Sequence, residues 1–336
     1  MKKARYMVVL IALISLMGVM LLGCTGGSKD ENIASESMNG NSADSKTDAA
    51  KGSSDVSENE VSRSYTDYRG HTVDIPTAPQ RVIFAGETTG DLLEIGIQPI
   101  GVLGVSIKDT LYENKLTQVE DVGFPINLEK VISLNPDLIL IADTDEKAYE
   151  SLTKIAPTIM FDTFASLDER MIELGDIFGK QQEATDWLNI YNAKAEEIWK
   201  QLYEKVLKPG ETASVFTYYP GDRLFIMAQA GFPQLLYGKG GMKPTGPIQE
   251  VLDAGEGFRQ ISAEELGEFA GDYIFILNPI DKEAEKSTEE LLASPIWKGL
   301  PAVKNGHVYR LDINKASSDA FTREYMLNEL PKLLGN

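Results

Sequence analysis

Few side chains here are suited to covalent or metal chemistry. Of 336 residues, two are histidine and one is cysteine, against 51 aspartates and glutamates. Transition-metal sites draw on several imidazoles or thiolates. His71 and His307 lie far apart in sequence, each just after a turn-forming glycine, in Arg69-Gly70-His71 and Asn305-Gly306-His307. A directly bound transition metal is not expected, and both histidines read as solvated turn residues. No Gly-x-Ser-x-Gly elbow, P-loop or Gly-x-Gly-x-x-Gly fingerprint is in place. Neither histidine has an evident triad partner, so the chain is not expected to be an enzyme or to carry a cofactor. A net charge of −19 opposes binding to nucleic acid and to anionic lipid. What remains is reversible binding by hydroxyls, aromatic rings and a few loop charges.

The lone thiol has a separate reading. Lys2, Lys3 and Arg5 precede an apolar run from Met7 to Gly23, the layout of a secretory signal over residues 1–23. Leu21-Leu22-Gly23-Cys24 resembles a bacterial lipobox, in which the cysteine takes a diacylglycerol and becomes the mature N-terminus. Two acyl chains suffice for stable anchoring. Residues 24–63 are rich in Ser, Asn, Asp, Glu, Gly and Lys and cannot bury enough apolar surface to order themselves. The expected picture is a lipid-anchored body on a disordered tether at the outer face of a cell membrane.

That body exceeds the usual size of one core, which predicts two lobes, residues 64–181 and 209–336. Between them, residues 182–208 keep a helical period through Trp187, Leu188, Tyr191, Ala195, Ile198, Trp199, Leu202 and Val206, ended by Lys208-Pro209-Gly210. An internal repeat supports the division. Ile126 to Ile141 aligns without gaps on Ile261 to Ile276, matching Glu129 to Glu264 and Asp137 to Asp272. Each copy opens on an N-cap type, Asn127 or Ser262. Leu128, Val131, Ile132 and Leu134 keep a helical period in the first, Leu266 and Phe269 in the second. A break at Pro136 or Gly271 then leads into an apolar run that reads as a buried parallel strand. Arg81–Ala85, Thr88–Gly96 and Pro99–Val105 read as a β-α-β unit. Ala213–Tyr218 and Val308–Leu311 read as strands, and Asp319–Leu334 as a closing helix. The fold class is α/β: two Rossmann-like lobes with mainly parallel sheets, joined by one long α-helix, with a ligand cleft between them.

Open parallel sheets bind ligands beyond the carboxyl ends of their strands. In the first lobe that rule selects Glu87, Thr88 and Thr89, then Ser106 and Lys108, then Asp143 and Thr144. In the second it selects Tyr218, Tyr219 and Arg223, then Asn278. Lys239 and Lys243 lie on a glycine-rich loop and are added as candidate cations. Tyrosines offer a large contact area and a hydroxyl donor.

The body resembles the bacterial ABC-importer substrate-binding lipoproteins that serve iron-siderophore, haem and vitamin B12 uptake. The resemblance rests on Pro79-Gln-Arg-Val-Ile83, Leu92 to Val102, Asn127-Leu-Glu-Lys-Val131, Asn135-Pro-Asp-Leu-Ile139, Ile155-Ala-Pro-Thr-Ile159 and Ser294 to Tyr309, in that order. It implies two α/β lobes on one rigid helix with only slight closure. It also implies a permease with two transmembrane halves and an ATPase as partners, and a monomer. Arg323 is added to the ligand set because this segment reaches back in the family. Catecholate-binding relatives carry basic residues in the first strand-loop of the second lobe. Here Phe216 to Pro220 has no base before Arg223, and Glu87 adds a negative charge. A compact trianion would need several bases, so a hydroxamate-type ferric siderophore is favoured. Haem or cobalamin, or a tethered accessory or sensor role without transport, stay open as alternatives. The family docks one glutamate per lobe on permease arginines. This implies Glu129 directly and Glu264 through the repeat, with Glu265 as a close rival.

Overall fold

A computed structural model describes residues 62–279 and 281–335; the expected signal peptide, Cys24 and nearly all of the tether lie outside them. The first described residues form a hairpin of β1 (Ser62–Thr66) and β2 (Thr72–Pro76). Ser62 and Arg63, expected at the end of the tether, are therefore in a strand, where Arg63 pairs with Asp176 at 2.9 Å.

The first lobe runs β3 (Val82–Ala85), α1 (Thr89–Glu94), β4 (Gly101–Val102), α2 (Gly104–Ile107), β5 (Glu120–Asp121), α3 (Leu128–Leu134), β6 (Leu138–Ile141), α4 (Glu146–Leu152), β7 (Thr158–Met160) and α5 (Leu167–Phe178). Its sheet has the order β5-β4-β3-β6-β7 and is parallel throughout. Every residue of β3, β6 and β7 is buried, as strands covered on both faces must be. The expected strand over Pro99–Val105 is much shorter. Asp121 Oδ1 accepts from the Gly104 amide at 2.8 Å, and the chain turns off the sheet into α2, which carries Ser106.

Helix α6 (Gln181–Lys205) links the lobes and buries Ala184, Leu188, Tyr191, Ala195, Trp199 and Leu202. The second lobe runs β8 (Thr212–Tyr219), β9 (Arg223–Met227), α7 (Pro233–Leu236), β10 (Lys243–Pro244), α8 (Gly246–Asp253), β11 (Phe258–Ile261), α9 (Leu266–Phe269), β12 (Tyr273–Asn278), α10 (Lys282–Ala293), α11 (Pro295–Gly299), α12 (Pro301–Asn305), β13 (Val308–Asp312) and α13 (Ala320–Leu334). Its sheet is mixed. β8, β10, β12 and β13 are parallel, while β9 and β11 add an antiparallel edge in the order β11-β9-β8-β12-β13.

The repeat has a physical basis. Asp137, just before β6, accepts from the amides of Gln80 and Arg81, both at 2.8 Å, at the entrance to β3. Asp272, just before β12, accepts from the Thr212 amide at 2.8 Å and its hydroxyl at 3.0 Å, at the entrance to β8. In each lobe the matched aspartate thus fixes the register of the neighbouring parallel strand. The helix before it is less regular. Val131 is buried, but Leu128 and Ile132 are 40% and 59% exposed, so these two periodic positions do not face the core.

One apolar core runs unbroken through both lobes. It joins Phe84 and Leu140 of the first sheet to Trp199 of α6, Phe275 of the second sheet and Leu327 of α13. The far face of each sheet has its own cluster. Polar groups lock the same junction. The Arg170 guanidinium, fully buried on α5, donates to Asp91 at 2.8 Å, to the Ala165 and Ser318 carbonyls at 2.7 Å each, and to Gln234 Oε1 at 3.1 Å. Asp91 in turn accepts from the Ala320 amide at 2.7 Å, at the start of α13. A shared core and this network oppose large hinge motion.

Both histidines depart from the solvated-turn expectation. His71 stacks on Tyr149 with ring centroids 4.1 Å apart, and its two nitrogens lie 3.1 Å from Asp67 and 3.0 Å from Glu146. Burial acts to lower its pKa, but the bonds and charges of Asp67 and Glu146 outweigh this and raise it. His307 stacks on Tyr273 at 4.3 Å and lies 3.2 Å from the Asp272 carbonyl.

Candidate ligand cleft

Loops at the carboxyl ends of both sheets enclose a cavity of about 530 Å³, the size range of small-molecule sites. Glu87 follows β3, Ser106 lies on α2 beyond β4, and Thr163 and Phe164 follow β7. From the other side come Tyr218 and Tyr219 at the end of β8, Leu277 and Pro279 around the end of β12, and Asn314, Ser317 and Ser318 after β13.

Aromatic rings cross the cleft from one lobe to the other. Phe164 lies 6.4 Å from Phe258, Phe258 meets Phe225 edge-on at 5.6 Å, and Phe225 meets Tyr219 edge-on at 5.4 Å. Phe164, Tyr219 and Phe258 are each about two-fifths exposed, which leaves ring faces for a ligand. Burial raises the Tyr219 pKa against a smaller opposing effect of Arg223, with Glu87 adding to the rise. The phenol therefore stays a neutral donor. Tyr218 lines the cavity while packing into the second lobe's outer core, and burial raises its pKa too. Three bonds tie the walls. Thr163 donates to Glu87 Oε1 at 2.6 Å, Gln229 donates to the Phe164 carbonyl at 2.8 Å, and Asn314 donates to the Lys108 carbonyl at 3.0 Å. The last two cross between lobes.

Of the residues expected from sequence, Glu87, Ser106, Tyr218 and Tyr219 come together here. Arg223 pairs with Tyr219 across the β8–β9 hairpin. It sits at the rim, its Nε donating to the Pro220 carbonyl at 2.8 Å and its guanidinium 5.9 Å from the Phe225 ring. The other candidates require correction. Thr88 is fully buried at the start of α1. Lys108 is exposed and joins the site only through its carbonyl. Lys243 pairs with Thr212, at the amino end of β8, roughly 23 Å from Tyr219 at the rise of an extended strand. Lys239 and Arg323 line a different cavity, against Tyr191 and Trp199 of α6. Arg323 is buried there, donating to the Tyr191 hydroxyl at 3.1 Å.

Phe164, Thr163, Phe258 and Asn314 also line the cavity and are not among the residues expected from sequence. The carboxyl-end rule applied to β7 and β13 reaches Thr163, Phe164 and Asn314, but β7 is only three residues long and carries no strand periodicity, and the rule is not carried past the strand read at Val308–Leu311. Phe258 sits on an antiparallel edge that the rule does not cover.

Among the described residues lining the cavity there is no lysine, arginine or histidine; its charges are Glu87 and Asp281. Asp281 caps α10 by accepting from the amides of Glu283 and Ala284 at 2.8 and 3.2 Å. No group of three or more histidine, cysteine or carboxylate ligands stands together among the described residues. The arrangement suits a ligand held by ring faces, hydroxyls and amides rather than by ion pairs with bases.

Residues 82–314 match the model of a periplasmic binding protein family. Two Bacillus subtilis (strain 168) proteins, the iron(3+)-hydroxamate-binding proteins YxeB and FhuD, are each 33% identical to the chain. The YxeB match spans 79% of this chain and 83% of the relative, and the FhuD match 78% and 83%. Among solved structures, Staphylococcus aureus SirA complexed with staphyloferrin B superposes with a TM-score of 0.72 at 29% identity, over 81% of this chain and 98% of that one.

Proposed function

The chain belongs to the periplasmic binding protein family, and from that premise we propose that it captures a ferric hydroxamate siderophore and hands it to the permease of an ABC importer. The observation that carries the ligand class is the cleft: three part-exposed rings, a row of hydroxyls and no base among its described lining residues. Burying a compact trianion there would leave its charge unpaired, at a cost of several kcal/mol. A ferric trihydroxamate has spent its three negative charges on the metal. It offers aliphatic spacers to Phe164, Tyr219 and Phe258, and oxygens to hydroxyl and amide donors. Iron enters wrapped in its chelator as cargo, so no protein ligand to the metal is called for. The names of the two Bacillus relatives agree with this class.

The rest of the assembly follows the same reading. Cys24 carries the lipid once residues 1–23 are removed, the tether lets the body reach its permease, and the body works as a monomer. Glu129 and Glu264 dock it, one lobe on each permease half. Calorimetric titration of the purified chain with ferric trihydroxamate, tricatecholate and citrate complexes and with haem tests the ligand class. Tightest binding of the trihydroxamate is expected; a tricatecholate or haem preference would reject the reading.

A further inference from the structure

Resting on the hydroxamate reading, we infer that the cleft is built for a complex with a cationic arm, and that Glu87 is the specificity residue that takes the positive charge. The first support is the state of its carboxylate. Oε1 accepts from the Thr163 hydroxyl at 2.6 Å, which fixes the group, while no described residue bonds Oε2. Asp281, the other acid of the central cavity, is likewise held through one oxygen, its Oδ1 capping α10, but it does not line the neighbouring cavity that Glu87 also faces. A positioned carboxylate with a free oxygen, in a cavity lined by aromatic rings and by no base among its described residues, is a receptor for an ammonium or guanidinium group.

The second support is where Glu87 stands. A second cavity, an annex of about 850 Å³ beyond the carboxyl ends of β3, β4 and β6, adjoins the central one, and the two share Glu87, Val105 and Ser106 as lining residues. The annex is apolar along Val105, Phe124 and Leu128, which are 67%, 74% and 40% exposed, and along Ala148. Its polar side chains include two acids, Asp143 and Asp145, against one base, Lys147. The compact chelate fills the cleft, and a flexible aliphatic arm leaving it passes Glu87 into this annex. A terminal cation there meets Glu87 and then Asp143 or Asp145. A terminal carboxylate meets like charge. Arg223 does not reverse the balance, because the Pro220 carbonyl and the Phe225 ring hold it at the rim.

The test uses ferric complexes of one linear trihydroxamate whose arm ends in a free amine, an N-acetyl amide or a carboxylate, with an armless cyclic trihydroxamate as reference. Each is titrated calorimetrically into the wild type, Glu87→Gln and Ala148→Phe. Glutamine keeps an acceptor for Thr163 and removes the charge. The wild type is expected to bind the amine form about tenfold tighter than the amide form, the scale of one charge-assisted hydrogen bond, and the carboxylate form most weakly. Glu87→Gln should bring the three armed forms close to equality. Ala148→Phe, which fills the annex, should weaken the armed forms relative to the armless one. Equal binding of the armed forms by the wild type, an unchanged order in Glu87→Gln, or no armed-specific loss in Ala148→Phe overturns the arm inference and leaves the hydroxamate reading standing. Failure of all four complexes to bind overturns both.

Discussion

Asp91 and Arg170 form an ion pair at 2.8 Å with both side chains fully buried, at the seam where α1 and α5 of the first lobe meet the start of α13. A longer bond of 3.4 Å runs to the second Asp91 oxygen, and the other guanidinium hydrogens go to Ala165, Ser318 and Gln234. Such a pair repays its desolvation only when its hydrogen bonds are this complete, and removing one partner strands the other charge. Asp91→Ala is therefore expected to cost roughly 3–5 kcal/mol in urea-induced unfolding. A cost below about 1 kcal/mol would mean that the network does not hold the lobes together.

Gly90 is required beside this pair by close approach rather than by backbone conformation. A Cβ there would lie 2.0 Å from Asp319 Oδ1 and 3.0 Å from Tyr112 Cε1. Both neighbours are themselves fully buried. Gly90→Ala should destabilise by roughly 1–3 kcal/mol through overpacking, read as a lowered urea midpoint with an unchanged slope. Wild-type stability in this variant would show that α1 and α13 can separate freely.

Asp319 makes the seam sensitive to pH. It is fully buried as the N-cap of α13, and its Oδ2 has no partner among the described residues. Burial first, and the Asp91 charge second, push its pKa from 3.8 up to about 6, while the bond from the Thr322 amide opposes the rise. Arg170 faces Asp91 from α5, and Tyr112 packs on the same junction. A carboxyl with a raised folded-state pKa binds its proton more tightly in the folded state. Its contribution is complete below about pH 4 and is lost as pH rises through about 6. The loss is of the order of 2–3 kcal/mol. Asn mimics the neutral acid and keeps the cap, so the wild type should lose stability relative to Asp319→Asn between pH 4 and 7. A pH-independent difference would contradict this.

In the cleft, Phe258 touches both Phe164 and Phe225 and has an exposed face. Phe258→Ala is expected to weaken ferric trihydroxamate binding by about 1–2 kcal/mol, roughly tenfold in Kd, with the melting temperature little changed. Unaltered affinity would remove the ring from the site.

Residues whose role is set by local pattern were legible in the sequence. The linking helix is visible because Leu188, Tyr191, Ala195, Trp199 and Leu202 repeat at helical spacing. Asp137 and Asp272 are visible as a repeat because each does the same strand-aligning work. Glu87, Ser106, Tyr218 and Tyr219 follow from the rule that ligands sit beyond parallel strand ends. Residues whose role is set by the docking of distant segments were not legible. Arg170 reads as one more helical arginine until Asp91 and Ser318 close around it. Arg323 and Lys239 look free to reach the ligand until α6 places them against Tyr191 and Trp199. Charge type can be read from a sequence, but which of the two cavities a charge lines depends on packing.

Glu129 and Glu264 hold equivalent places in the repeat, and the last prediction concerns them. Glu129 lies in the first turn of α3, where Asn127 caps the helix by accepting from the Glu129 and Lys130 amides at 3.0 and 3.2 Å. Exposed Leu128 and Ile132 flank it. Glu264 precedes α9 in a turn where its rival Glu265 is already committed, accepting from the Ser262 amide at 2.7 Å. Neither Glu129 nor Glu264 has a side-chain partner among the described residues. A purely structural role would be interaction with a helix amino end, worth a fraction of a kcal/mol. For Glu264 that role is weaker, because it stands outside a four-residue helix. Two exposed, uncommitted acids, one per lobe, suit capture by two like permease halves, where surface charges govern encounter and orientation. Replacing both with Ala should leave the melting temperature and siderophore affinity nearly unchanged while abolishing siderophore-dependent iron uptake in cells. Each single variant should give a partial loss. Normal uptake by the double variant would reject the docking role, and loss of siderophore affinity would move these residues from the docking face into the cleft.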